Sequence, residues 1–200
     1  MIIWTQSRDK IGGSTNSTFL ALIPKERNPS SIKKHRTICL CNSCYKILTK
    51  IISNRLKKVI PLIISENQGG FIAGRKIYNN ILLVQEVIHS SQALKEAGMA
   101  IKLDLANAFD RVRHSFLFKV MDKFGFPPTF VRWVKAYIEI PWVSPLINGR
   151  PTNFFHAKRG IWKGYPMSPF LYILIVDALS RRLNRLKKKG SYLESPSLEE

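Results

Sequence analysis

Two hundred residues, 45% of them hydrophobic, are enough for one domain with a real core and exclude a chain that is disordered throughout. Thirty-two Lys and Arg against thirteen Asp and Glu leave a net charge of +19, so the expected partner is a polyanion, nucleic acid before any other. The longest apolar run, Phe170 to Val176, has seven residues, short of the roughly 20 that a membrane-spanning helix needs.

The first residues lack the apolar run and cleavage site of a secretory signal. The expectation is an intracellular protein, in nucleus or cytoplasm, with no membrane partner. Residues 1–14 read as a polar leader with Gly12-Gly13. Phe19 to Ile23 reads as a strand stopped by Pro24, and Arg36 to Leu40 as a second strand after the turn-rich Asn28-Pro29-Ser30-Ser31.

From Asn42 the period becomes helical. Ile47, Leu48, Ile51, Ile52, Leu56 and Val59 recur at i, i+3, i+4 spacing, with Lys46, Lys50 and Lys57 on the other side. A loop with Gly69, Gly70 and Gly74 leads to a helix from Tyr78 to Glu96, with Ile77, Ile81, Val84 and Ile88 in register and Gly98 as its stop. Met99 to Leu105 alternates, Ile101, Leu103 and Leu105 against Ala100, Lys102 and Asp104, which predicts a half-buried strand with a carboxylate near its end.

Helices are expected over His114 to Phe124 and from Pro127-Pro128 onward, the second carrying Val131, Val134 and Ile138. A hairpin at Asn148-Gly149 follows. Pro145 falls inside the strand Trp142 to Ile147, which its missing N–H predicts to be an edge. A long helix from Ser168 to Lys188 closes the chain, with Leu171, Ile175, Ala178 or Leu179, Leu183 and Leu186 on its apolar face. The run Lys187-Lys188-Lys189 suits a nuclear address or a nucleic-acid patch, and equally a solvated helix end whose cations match the macrodipole.

Cys39, Cys41 and Cys44 are the only cysteines. Three so close build no disulfide framework, and with His35 as the sole neighbouring ligand the spacing matches no common zinc site, so they read as half-buried structural residues.

Asp104 stands in Lys102-Leu103-Asp104-Leu105-Ala106-Asn107-Ala108-Phe109-Asp110-Arg111-Val112. This stretch resembles the first palm motif of reverse transcriptases of plant non-LTR (LINE-type) retrotransposons, and the similarity runs from about Gly12 to Arg185. Phe19 to Lys25 is similar to that family's opening strand, and Arg36 to Asn42 with Tyr45-Lys46-Ile47 and Asn54-Arg55-Leu56 to its fingers motif. Ile64-Ser65, Gln68 and Gly69 to Arg75 through Asn80-Ile81-Leu82 resemble the next motif. Ile147-Asn148-Gly149 is similar to the hairpin, and Arg159-Gly160-Ile161 with Gly164, Pro166, Ser168 and Pro169 to the second palm motif.

The resemblance implies an α+β fold: the fingers and partial palm of a right-hand polymerase, with an antiparallel palm sheet packed on helices. Fingers would occupy residues 15–98, the partial palm 99–189 and a tail 190–200. The implied activity is RNA-directed DNA polymerisation from deoxynucleotides on an RNA template with a DNA primer. Nucleotide addition is an in-line phosphoryl displacement assisted by paired Mg²⁺ ions, which favour oxygen ligands. Asp104 would be the catalytic carboxylate and a metal ligand. Arg36 and Lys46 would hold the triphosphate, and Phe109 would lie under the sugar. Lys163 occupies a nucleotide-binding position, whereas Arg75, Lys50 and Arg159 are the implied nucleic-acid contacts, and Asp110 is the partner of a nearby cation rather than a ligand.

The chain departs from that pattern in its second palm motif, where Trp162, Lys163 and Tyr165 stand at the family's Arg, Gln and Asp positions. Thr37 replaces a usual Pro. The third palm motif, an aromatic-Ala-Asp-Asp hairpin, has no counterpart, because the sequence contains no Asp-Asp dipeptide. One carboxylate cannot organise two metals, so the expectation is a polymerase piece cut before its catalytic site is complete and inactive by itself. Two alternatives stay open: a non-catalytic module that grips RNA or single-stranded DNA, and a decayed reading frame without a selected function, which the substitutions favour over the module.

Overall fold

The computed structural model describes residues 17–94, 102–139 and 141–190. The leader expected over residues 1–14 and the tail beyond Gly190 lie outside the described residues. Five strands and five helices follow one another as β1 (Ser17–Pro24), β2 (His35–Cys41), α1 (Ser43–Ile63), α2 (Ile77–Leu94), α3 (His114–Lys123), α4 (Pro128–Glu139), β3 (Trp142–Ile147), β4 (Arg150–Pro151), β5 (Phe155–His156) and α5 (Ser168–Gly190). The class is α+β. Among the described residues no helix is long and apolar enough to cross a membrane.

The sheet is mixed, with strand order β2-β1-β3-β4 and β5 also on β3. β1 runs antiparallel to β2, Leu20 opposite Cys39, and parallel to β3, Phe19 opposite Ser144. β3 is thus an interior strand, not the edge that Pro145 predicts. The reason is local. Thr152 N donates to Pro145 O at 3.0 Å, and the return bond that a Pro cannot make is replaced by Ser144 Oγ donating to Thr152 O at 2.7 Å. Asn148 and Gly149, both at positive φ (51° and 76°), form the expected tight turn.

α1 starts where Asn42 Oδ1 accepts from Cys44 N at 2.9 Å. Its buried stripe is Tyr45, Leu48, Thr49, Ile52, Ser53, Leu56 and Ile60, whereas Ile47 and Val59, expected inside, are exposed. Polar Thr49 and Ser53 take the core side because carbonyls receive their hydroxyls: Thr49 donates to Tyr45 O at 3.0 Å and Ser53 to Pro166 O at 2.9 Å. The helix ends against two guanidinium groups. Arg181 donates to Ile63 O at 2.6 Å, and Arg75 to Pro61 O and Ile64 O at 3.4 and 3.3 Å, so carbonyls at the helix end meet cations.

The core joins α1, α3, α4 and the first half of α5, where Leu117, Met121, Val134, Leu171, Ile173 and Leu174 are fully buried. Each such side chain contributes about 1.5–3 kcal/mol. Asp177 is buried as well and satisfied, accepting from Ser65 N at 3.0 Å, from the Ser65 hydroxyl and from Arg181 Nε at 2.7 Å. This ties α5 to the end of α1.

Three expectations need correction. Lys102 to Leu105 form no strand, and all four are exposed; residues 99–101 lie outside the described residues. A strand needs a ladder partner for its N–H and C=O groups, and among the described residues none pairs with this segment. The expected apolar face of α2 is uncovered, with Ile77, Ile81, Val84 and Ile88 all exposed. Beyond its first half the apolar face of α5 is uncovered too, through Leu179, Leu183 and Leu186.

Candidate functional site

The segment 107–113 docks edge-on against residues 159–161. Ile161 N donates to Phe109 O and Gly160 N to Val112 O, both at 2.8 Å, and Arg113 forms an isolated bridge with Arg159. Asn107, at φ 53°, turns the chain there, with Asp110 N and Arg111 N both donating to its carbonyl. Gly160 is at φ 100°, a backbone conformation that favours glycine, and its Cα lies close against the Asp110 backbone, which a Cβ would meet at 3.4 Å. His114 clasps the same corner, its Nε2 lying 2.9 Å from Gly160 O.

The docking sets Phe109 inward and Asp110 outward. Phe109 stacks on Tyr172 of α5, ring centroids 4.5 Å apart and planes 22° from parallel. Asp110 Oδ2 takes Lys163 Nζ at 2.8 Å. Gly164 then carries the chain beneath β2 at φ 98°, where Cys39 N donates to Lys163 O at 3.3 Å. A cleft of about 440 Å³ results, lined by Lys50, Phe109, Lys163, Gly164, Tyr165, Pro166, Ser168 and Pro169. Three of the expected site residues, far apart in sequence, meet there: Lys50, Phe109 and Lys163.

Tyr165 is not the loss of a carboxylate alone. It is buried, its hydroxyl pairs with Thr18 Oγ1 at 2.6 Å, and its ring meets Tyr45 edge-on at 5.2 Å. Tyr45 in turn donates its hydroxyl to Tyr137 O. Burial pushes the phenols of Tyr45 and Tyr165 above their ordinary range and the Cys39 thiol up to about 12. These are neutral packing groups at physiological pH. Lys163 is paired, so two of the three departures from the motif are built into the structure. Trp162 packs against the core with its indole N–H buried and without a partner.

The remaining expected residues are dispersed. Asp104 is exposed on the far side of Tyr172, in a separate groove of about 720 Å³ that runs between the 104–119 segment and α5, with Arg111, Arg113 and Lys119 along it. Burial first, and the Asp104 charge second, raise the Tyr172 phenol. Lys46 is exposed one turn ahead of Lys50 on α1. Arg159 is exposed at the docked corner, and Arg36, exposed on β2, does not line the cleft. Arg75 has both terminal nitrogens committed to carbonyls, with Ser65 O at 2.5 Å and Gln68 O at 3.0 Å added to the two at the end of α1. It acts as a brace for the 65–75 loop. Tyr172 escaped the sequence reading; it lies one turn after Ser168 and two residues after Phe170, and nothing in that spacing separates it from an ordinary core aromatic.

No three His, Cys, Asp or Glu side chains among the described residues gather as a metal site would require. Asp104 belongs to no such group among the described residues, and Asp110 is held by Lys163.

Residues 23–193 match the model of the family described as reverse transcriptase (RNA-dependent DNA polymerase). A transposon TX1 uncharacterized 149 kDa protein of Xenopus laevis is 31% identical over 185 residues, 92% of this chain and 14% of that protein. A retrovirus-related Pol polyprotein from the type-2 retrotransposable element R2DM of Drosophila melanogaster is 27% identical over 161 residues, 80% of this chain and 15% of that one. The RNA-directed DNA polymerase from mobile element jockey, of the same fly, is 28% identical over 149 residues, 73% and 16% of the two chains. The chain therefore spans 14–16% of the length of these relatives.

Proposed function

Because the chain belongs to the reverse transcriptase (RNA-dependent DNA polymerase) family, we propose that it serves as the part of an RNA-directed DNA polymerase that holds nucleic acid and nucleotide. In this reading residues 15–98 are fingers and 99–189 part of a palm, of the LINE type that its motifs resemble in plants. It works inside the cell on an RNA template and a DNA primer. The observation that carries the reading is the cleft that joins Lys50, Phe109 and Lys163.

The chemistry of those groups supports binding more than turnover. Phe109, fixed by Tyr172, offers a flat apolar floor to a sugar. Lys163 shares its charge with Asp110, whereas Lys50 has no carboxylate partner among the described residues and is the cation best placed to meet a phosphate. Members of the family use divalent metal ions. The Mg²⁺ pair that the resemblance implies does not fit the carboxylates placed here, and no step is assigned to it. A non-catalytic module that grips RNA or single-stranded DNA is the second reading, favoured by Tyr165, which fills the core where the family has a carboxylate.

Two measurements test this. Affinity of the 200-residue chain for single-stranded RNA falls steeply with salt, with each neutralised phosphate adding about 0.7 to the slope of log affinity against log salt; binding indifferent to salt would overturn the reading. Primer extension is absent for the chain alone and appears when an Asp-Asp hairpin is appended, then disappears with Asp104→Asn. Extension by the unmodified chain that Asp104→Asn abolishes would show the catalytic set to be complete.

A further inference from the structure

Phe71 is a large apolar side chain left 65% exposed, on a backbone at φ 59° that bulky residues rarely adopt. Its neighbour Ile72 is buried, and the Arg75 brace ties down the same loop. The loop is thus held from both sides in a conformation that turns the ring outward, and such strain at an exposed position points to a use. The ring flanks a groove of about 410 Å³ whose other walls include Lys50, Asn54, Lys57, Pro166 and Phe170.

Lys46, Lys50, Asn54 and Lys57 fall at i, i+4, i+8 and i+11 on α1, so they form one stripe, each four-residue step advancing about 6 Å along the axis. All four are exposed. Lys50 lines both this groove and the Phe109–Lys163 cleft, and the two make one track. Cations along a track with an aromatic ring beside it are the elements of single-strand binding: the lysines follow phosphates, and the ring stacks a base without reading its identity.

We propose that Phe71 is a stacking platform for an unpaired base of a single strand whose phosphates follow Lys46, Lys50 and Lys57, with the Asn54 amide facing the same groove. This rests on the nucleic-acid-holding reading above and names a site within it. The Arg75 side chain takes no part, since its terminal nitrogens are held by carbonyls.

The test titrates the full 200-residue chain with a labelled single-stranded uridine 20-mer, and with an abasic phosphodiester of equal length, at several salt concentrations. Phe71→Ala weakens binding of the uridine strand by between about 5- and 100-fold at unchanged salt slope, and leaves the abasic strand as the unsubstituted protein binds it. Lys57→Gln lowers the salt slope by about 0.7 on both strands. Phe71→Gly relieves the left-handed backbone, so its melting temperature does not fall while its affinity for the uridine strand drops as in Phe71→Ala. Equal losses on both strands, no loss on either, or a Phe71→Gly protein that loses stability along with affinity would each overturn the proposal. Salt-sensitive binding by the unsubstituted chain with silent Phe71 variants overturns this site alone; failure of the unsubstituted chain to bind overturns the underlying reading too.

Discussion

The two sides of the Phe109–Tyr172 stack have been built differently. On one side the cleft is backed by buried Tyr165, Tyr45 and Cys39, docked to β2 through Lys163 O and pinned by the Lys163–Asp110 pair. On the other, Asp104 sits in the exposed segment 102–105, facing a wide groove and the bare Leu179 of α5. A motif residue becomes an ordered site only where other parts of the chain pack behind it. Phe109 and Lys163 have that backing, whereas Asp104 has a motif around it and, among the described residues, no strand paired with its segment.

The largest effect that tests this contrast comes from restoring the family's carboxylate. Tyr165→Asp places a charge among Tyr45, Thr18 and Cys39, and an uncompensated buried charge costs about 3–5 kcal/mol. Urea unfolding is expected to show the loss, and a Tyr165→Asp protein as stable as the parent would mean that the cleft is no better packed than the Asp104 side. Asp177→Ala comes next, because it leaves the Ser65 N–H and hydroxyl and the Arg181 Nε without their acceptor; about 2–3 kcal/mol is expected by the same measurement.

Alkali weakens the packed side selectively. The Cys39 thiol ionises at about 12 in the folded protein against an ordinary 9.0. Between those values the unfolded chain releases a proton that the folded chain keeps, so stability is full below about pH 9 and falls as pH rises toward 12. Thermal melts at stepped pH record the decline, and Cys39→Ala makes it shallower; an unchanged decline in that variant would contradict the assignment to Cys39. The smallest effects belong to the surface. Lys163→Gln breaks a half-exposed pair worth about 0–1 kcal/mol, and Asp104→Asn shifts stability by no more than about 0.5 kcal/mol. A larger loss from Asp104→Asn would show that the segment 102–105 is better anchored than its exposure indicates.

Elements whose signal is local were legible in the residues. The helical pattern from Asn42, the Asn148-Gly149 turn and the helices after Pro127 and Ser168 each follow from the preferences of near neighbours. The order of the motifs likewise marked Phe109 and Lys163 before any contact was known. Their meeting with Lys50 depends on segments 54 or more residues apart, and no periodicity encodes that distance.

Partnership was what the tertiary structure alone decided. Alternation over residues 99–105 states which side chains would share a face, but a strand exists only when another backbone accepts its hydrogen bonds, and none of the described strands does. Apolar spacing likewise puts Ile47 on the inner face of α1 and Ile77, Ile81 and Ile88 on that of α2, yet burial is a property of what packs opposite. Thr49 and Ser53 displaced Ile47 because carbonyls were waiting for their hydroxyls. Arg75 shows the same division: its charge was evident from the chain, but only the tertiary structure brings four carbonyls, of Pro61, Ile64, Ser65 and Gln68, onto its guanidinium and makes it a brace for the 65–75 loop.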